Sequence, residues 1–167
     1  MKSLAFAAAS LVVLGGISAA QAQSSTSKAD KAFANKAAAA GLSEVAEAKI
    51  ALDKSGNPDV KSFAQRMVDD HGKANDQLIQ IAQKDGLSVP SSPSSRDEAQ
   101  ANKLSGMSGD AFDKAYIRDQ VAAHKKAVAL FTKESEKGQN SNLKDFATQT
   151  LPTLQDHLRM VTTLAGK

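Results

Sequence analysis

Apolar residues recur at intervals of three and four in four long segments of the chain, a spacing typical of helices with one buried face. The second segment shows the pattern most clearly, with Phe63, Met67, Ala74 and Leu78 in one stripe. We predict helices over residues 30–54, 58–84, 109–137 and 141–164. A polar stretch, residues 96–104, predicts a shorter helix between the second and the third. The chain is therefore expected to be all-α.

Residues that begin or end helices agree with these limits. Asp30 is the expected N-cap of the first helix, Pro58 fits the first turn of the second, and Gly86 fits its end. The segment from Asn57 resembles the segment from Asn140, because Lys, Phe and Ala follow at the same spacing in both. Each would open the second helix of a hairpin, unless the likeness reflects two unrelated helix starts.

The connection over residues 87–108 contains Pro90 and Pro93 and is too long for a tight turn. A connection of this length can run along a bundle and join two helical hairpins. The predicted fold is a ferritin-like four-helix bundle, in which two hairpins are joined by a long crossover that holds a short helix.

The first residues have the pattern of a signal peptide. Lys2 gives a positive start, residues 4–17 are apolar, and Ala20-Gln21-Ala22 is a small-x-small cleavage site. We expect residues 1–22 to be removed, residues 23–29 to be a disordered leader, and residues 30–167 to form the bundle domain. No later segment is apolar enough for a transmembrane helix. The expected location is the periplasm.

Composition narrows the classes of partner. The formal net charge is only +3, aromatic residues make up 4%, and arginines do not cluster, so we expect no nucleic acid partner. The chain has no cysteine, which excludes disulfides and a lipid anchor on cysteine. Nothing in the sequence identifies a protein partner.

The three histidines of the chain fall on or beside the apolar stripes of three different predicted helices, and Glu44 lies on the alanine-rich face of another. At a rise of about 1.5 Å per residue, Glu44 and His71 differ in height by about 4.5 Å, and so do His124 and His157. A crossover puts the two hairpin turns at opposite ends of the bundle. The sequence therefore predicts one mid-bundle cluster of Glu44, His71, His124 and His157.

Imidazole and carboxylate groups together suit Zn, Cu, Fe or Mn, so the cluster predicts a site for one such ion as cofactor. Asp70, Asp119 and Asp156 are the expected hydrogen-bond partners of the imidazoles. A di-metal carboxylate site is disfavoured, because it needs glutamate three residues before histidine. The residues at those positions are Val68, Val121 and Leu154.

Two other interpretations stay open at this stage. The polar residues could form a metal-free centre that fixes helix register in a structural or interaction module of the cell envelope. Alternatively, an open coordination position on a bound metal would make the protein an enzyme, such as an oxidase. The sequence decides neither whether the protein is an enzyme nor which substrate it would act on.

The ordered motifs of the chain resemble a bacterial family known as domain of unknown function 4142. The resemblance covers residues 32–164 and rests on Phe63-Ala-Gln-Arg-Met67-Val-Asp-Asp70-His71, Glu44-Val45, Ala111-Phe112-Asp113-Lys-Ala-Tyr116, His124-Lys-Lys-Ala127-Val-Ala-Leu130-Phe131 and Leu151-Pro152-Thr-Leu-Gln-Asp-His157-Leu. It implies a ferritin-like bundle in an exported bacterial protein and no established reaction. The one departure is Ala46-Glu47, where a more apolar pair is usual.

Overall fold

A computed structural model describes residues 26–166 of the protein. They form five helices: α1 (Lys28–Lys54), α2 (Pro58–Lys84), α3 (Ser95–Ser105), α4 (Gly109–Lys137) and α5 (Ser141–Ala165). No residue in this range is in a strand, which confirms the all-α prediction. No helix in the same range is both long enough and apolar enough to cross a membrane. The predicted signal peptide and residues 23–25 of the predicted leader lie outside the described residues.

Helix α1 begins two residues earlier than predicted, because Ser27 rather than Asp30 is its N-cap. Ser27 Oγ accepts a hydrogen bond from the backbone N–H of Asp30 at 3.1 Å, and Asp30 Oδ2 accepts one from the N–H of Ser27 at 2.7 Å. This reciprocal pair is a capping box, which satisfies amide groups that a helix start leaves free. Lys28 and Ala29, assigned to the leader from sequence, are therefore helical.

The two hairpins form as predicted, with α1 packed mainly on α2 and α4 mainly on α5. Asn57 caps α2 by accepting a hydrogen bond from Asp59 N at 2.9 Å. Asn140 caps α5 in the same way, accepting from Leu143 N at 3.0 Å. The similar segments at Asn57 and Asn140 thus have the same structural role. Helix α3, within the long crossover, packs on α1 and α4.

The apolar core is divided into two clusters by a polar layer at mid-height. On each of the four long helices, one cluster lies before the layer in sequence and the other lies after it. The order on α1 and α5 is the reverse of the order on α2 and α4. The first cluster consists of Phe33, Ala34, Ala37, Ala38, Leu78, Ala127, Phe131, Leu143, Phe146, Ala147 and Leu154. The second consists of Ala48, Ala51, Val60, Phe63, Ala64, Met67, Leu104, Phe112, Ala115, Tyr116 and Val161. The layer between them contains Glu44, His71, His124 and His157.

A network of polar side chains joins three helix ends at one end of the bundle. Asp30 accepts hydrogen bonds from the backbone N–H groups of Gln139 and Asn140 at 3.0 and 3.2 Å. Asn140 Nδ2 donates to Thr26 Oγ1 and to Asp85 Oδ2, both at 2.9 Å. The start of α1 and the end of α2 are thereby fixed to the turn between α4 and α5.

Glu134 makes this network sensitive to pH. Burial, with the Asp30 carboxylate nearby, raises the pKa of Glu134 from 4.5 to about 7. A carboxyl whose folded-state pKa is raised contributes stability at low pH that is lost as the pH rises through that value. We expect Glu134→Gln to remove this pH dependence. Between pH 6 and pH 8, the free energy of unfolding of the wild type should fall by about 1 kcal/mol more than that of the variant. Urea unfolding at both pH values measures the difference.

The exposed Glu136 provides a matched control, since Glu136→Gln removes the same charge two residues further along α4. Parallel pH profiles for the wild type and Glu134→Gln would contradict the prediction.

Candidate metal centre

Three imidazoles from three helices meet in the polar layer. The ring centroids of His71, His124 and His157 form a nearly equilateral triangle, with separations of 5.6, 5.4 and 5.4 Å. One ring nitrogen from each lies within 4.8 Å of one ring nitrogen from each of the others. His124 and His157 have no exposed surface, and His71 is 6% exposed. The layer thus holds a compact set of nitrogen donors shielded from solvent.

One nitrogen of each ring faces a fixed hydrogen-bond acceptor. His124 Nδ1 donates to the carbonyl oxygen of Gln120 at 3.0 Å, and His157 Nε2 donates to Asp70 Oδ2 at 2.9 Å. His71 Nδ1 lies 3.2 Å from Glu44 Oε2. Since carbonyl and carboxylate oxygens only accept, the two hydrogen bonds place the ring protons of His124 and His157 on the nitrogens that face Gln120 and Asp70, and the 3.2 Å contact favours the same arrangement for His71 when Glu44 is ionised.

The other nitrogen of each ring then carries a free lone pair. His71 Nε2, His124 Nε2 and His157 Nδ1 are buried and have no hydrogen-bond partner within residues 26–166. A buried polar atom without a partner costs about 1–3 kcal/mol, so three in one layer indicate a ligand. One nitrogen from each ring lies within 4.8 Å of one from each of the others, a spacing that leaves a point no more than about 2.8 Å from one nitrogen of every ring. Metal–imidazole bonds of about 2.0–2.1 Å need an inward shift of only about 0.7 Å per ring.

The protonation states of the rings suit ligation. Burial lowers the pKa of His71 from 6.5 to about 4, and it also lowers the pKa values of His124 and His157. The rings are therefore neutral near pH 7, as metal binding requires. Burial alone would raise the pKa of Asp70, but hydrogen bonds from His157 and Arg66 outweigh it and lower the value. Asp70 thus remains a charged acceptor for His157.

Glu44, a ligand candidate from sequence, lies in the layer but beside the protonated nitrogens. Its Oε2 contacts His71 Nδ1 at 3.2 Å, and its Oε1 lies 3.7 Å from His124 Nδ1. The unpartnered nitrogens of these two rings are on their other sides. Burial raises the pKa of Glu44, although the electrostatic interaction with His124 acts in the opposite direction.

The expected aspartate partners are only partly found. Asp70 does bind an imidazole, but that of His157 across the bundle rather than its neighbour in sequence. The expectation for the other two aspartates is wrong: Asp119 accepts hydrogen bonds from Gln100 and Arg118, and Asp156 accepts one from Arg159. Both lie on the half-exposed sides of their helices, where long polar side chains reach them more easily than buried rings do.

Sequence reasoning missed a second buried acid, Glu47. Its side chain is 7% exposed, and its Oε2 accepts a hydrogen bond from Gln120 Nε2 at 2.9 Å. Burial raises the pKa of Glu47 from 4.5 to about 7. The signal was the spacing: Glu47 is three residues after Glu44, and Gln120 is four before His124, so each shares a helical face with a predicted site residue.

A comparison with protein-family models matches residues 16–164 to the domain of unknown function DUF4142. The chain belongs to the DUF4142 family. This match spans both hairpins and all residues of the polar layer, in agreement with the resemblance read from the motifs. Among curated proteins, none matches the chain.

Solved structures share the fold of this DUF4142 protein at low sequence identity. A DUF305 fragment from Deinococcus radiodurans is 17% identical, with a TM-score of 0.73 and coverage of 84% of this chain and 97% of that one. A DUF305 protein from Streptomyces coelicolor, which carries the designation of a secreted protein, is 17% identical, with a TM-score of 0.70 and coverage of 81% and 89%. CopM in its Cu(I)-bound form is 15% identical, with a TM-score of 0.67 and coverage of 81% and 94%. These likenesses confirm the helical bundle.

Proposed function

We propose that this protein binds one first-row transition-metal ion through His71 Nε2, His124 Nε2 and His157 Nδ1. The observation that carries the proposal is the set of three buried nitrogens without partners, each on a ring whose other nitrogen faces an acceptor. Metal-binding imidazoles are commonly oriented in this way by a carboxylate or a carbonyl on the second nitrogen. The arrangement also supports one ion rather than two, because the three rings offer a single set of nitrogens, one from each ring, within 4.8 Å of one another.

In this proposal Glu44 orients two of the ligands and is not itself a ligand. Its contacts are to the nitrogens that carry protons, and a metal bound at the opposite nitrogens would lie across the rings from it. Its negative charge would also offset part of the charge of a buried cation. Asp70 has the corresponding role for His157, and the Gln120 carbonyl for His124.

Copper is the metal we favour. Three imidazoles form a neutral ligand set that suits copper or zinc better than manganese, which prefers oxygen ligands. A monovalent ion carries the smaller desolvation cost in an apolar interior. The similarity in fold to CopM, solved in its Cu(I)-bound form, supports the same choice. We infer a role in the handling or storage of copper.

We place this role in the periplasm. The N-terminal pattern of a positive start, an apolar run and a small-x-small site supports export. The fold shared with a protein designated as secreted agrees with it.

Equilibrium dialysis followed by elemental analysis tests the proposal on untagged residues 23–167. We expect one Cu(I) or Zn(II) ion per chain for the wild type and less than a tenth of that for His124→Ala or His157→Ala. A matched control is Lys125→Ala, next to His124 on the exposed side of α4. Metal content that is substoichiometric in the wild type, or equal in all four proteins, would end the proposal.

The role assigned to Glu44 has a separate test. Glu44→Gln keeps the shape of the side chain but removes its charge, so metal should still bind at one ion per chain with about 10–100-fold weaker affinity. Competition against a chelator of known affinity measures the change. Complete loss of binding would instead make Glu44 a ligand.

The layer also supports a second candidate, a metal-free structural centre. His157 already joins α5 to α2 through Asp70, and His71 joins α2 to α1 through Glu44. On this reading the imidazoles only hold the helices in register. The distinguishing result would be destabilisation of about 1–3 kcal/mol in the histidine variants without any effect of metal on the wild type.

A further inference from the structure

A cavity of about 700 Å³ opens beside the histidine layer and is lined by residues of all five helices. It exists because small side chains face one another across α1, α2 and α4. They include Ala37, Ala40, Gly41, Ala74, Ala122 and Ala123. The cavity reaches Glu44 and His71 but neither His124 nor His157. Its inner wall is therefore the part of the polar layer formed by α1 and α2.

The outer part of the cavity has charged side chains of both signs, and the inner part has only acidic ones. Asp119, with 23% of its side chain exposed, lies in the outer part together with exposed basic side chains such as Lys126. Further in, the charged side chains are Glu47 and Glu44, which are buried. No lysine or arginine among residues 26–166 is buried to the same degree. A cation that moves inward thus meets carboxylate oxygens before it meets an imidazole.

The metal site requires such a path. The three unpartnered nitrogens are buried, and the apolar clusters close the layer from both ends of the bundle. On the α2–α5 side, Asp70 is bound to His157 at 2.9 Å and to Arg66 at 3.2 Å, which places a positive guanidinium over that side. The exposed Lys36, Arg96 and Lys126 also line the cavity, but inside it the buried acids attract a cation, whereas Asp70 on the other side is already held by Arg66 and His157.

We propose that this cavity is the route by which the metal ion reaches the three imidazoles, with Glu47 and then Glu44 as successive oxygen contacts before His71. The inference rests on the proposed metal-binding function. It assigns to Glu47 a role in the rate of loading and not in the final site. It also gives a role to the small alanine and glycine side chains that line the cavity next to the buried polar layer.

Stopped-flow loading with Cu²⁺ tests the route. Tyr116 is the single tyrosine of a chain without tryptophan, and it is buried against Phe63, which in turn packs against His124 and His157. Its fluorescence should therefore be quenched when the ion arrives. We expect Ala123→Leu, which fills the cavity, to slow both association and release of Cu²⁺ at least tenfold with less than threefold change in affinity. Ala40→Leu fills the cavity from α1 and should have the same effect if the first variant does not fold.

Two controls separate the route from other effects. Ala129→Leu adds the same volume on the exposed side of α4 and should leave the rates unchanged. Glu47→Gln should slow association severalfold and weaken its dependence on salt, whereas Glu136→Gln at an exposed position should do neither.

The outcomes are distinguishable. Wild-type rates in both filled variants would overturn the route and leave the metal site intact, with the Asp70 side as the path. Slower association with unchanged release would also overturn it, because a blocked path slows both directions equally. A wild-type protein that binds none of Cu²⁺, Cu(I) and Zn²⁺ would overturn the proposed function and this inference together.

Discussion

A saturating transition-metal ion is expected to raise the melting temperature of the wild-type protein by about 10 °C or more. A ligand at 1,000 times its Kd stabilises the folded state by about 4 kcal/mol when it binds only that state. For a domain of this size, each kcal/mol corresponds to about 3–5 °C. The unfolded chain cannot bring His71, His124 and His157 together, so almost all of the binding energy should appear as stability. Differential scanning calorimetry with Zn²⁺, or with Cu(I) under reducing conditions, measures the shift.

The same measurement on His124→Ala shows whether the shift comes from the polar layer. His124 is fully buried, and its ring touches both other imidazoles, so we expect the metal-dependent shift to disappear in the variant. Lys125→Ala should keep the full shift. A similar rise in all three proteins would point to surface binding and would contradict the prediction.

Truncation of Phe63 should cause the largest loss of stability of any single change near the site. The side chain is 1% exposed, and its ring lies 6.3 Å from that of His124 and 6.4 Å from that of His157. Phenylalanine to alanine in a closed core costs about 3–5 kcal/mol, through lost burial and the cavity that remains. The imidazoles also lose the surface that holds them in place. We therefore expect Phe63→Ala to weaken metal binding about tenfold in addition.

Phe146→Ala is the matched control for this prediction. Phe146 is 5% exposed and belongs to the other apolar cluster, so its truncation should cost comparable stability with little change in metal affinity. Urea unfolding gives the stability, and chelator competition gives the affinity. If Phe63→Ala does not fold, Phe63→Leu allows the same comparison with a smaller cavity. Equal metal affinity in the wild type and both phenylalanine variants would refute a positioning role for Phe63.

The sequence was sufficient for the helices because their limits depend on local chemistry. Pro58, Gly86 and Asn140 mark ends that neighbouring residues alone can specify, and the observed bounds agree with them. The start of α1 was placed wrongly, since Ser27 and Asp30 are both good caps and only their mutual hydrogen bonds decide between them. The helical period and rise were also sufficient to predict that His71 and His124 lie in one layer.

The details of the site could not be obtained in this way, because they depend on side-chain direction across helices. Period and rise place Glu44 near His71 but do not tell which ring nitrogen it faces. Asp70 follows Asp69 and precedes His71, yet it binds His157 on another helix. The cavity depends on the summed volumes of side chains from several helices, and such sums cannot be read along a single chain.

The division of the core has a consequence for how the molecule opens. Each apolar half packs within itself, and the halves are connected through the four continuous backbones and the ring of imidazoles between them. An ion bound to the three imidazoles would link the two halves of the core to each other. Amide hydrogen exchange should then slow at Leu78 and at Val60 by the same factor on loading, although the two residues lie in different halves and neither touches the ion.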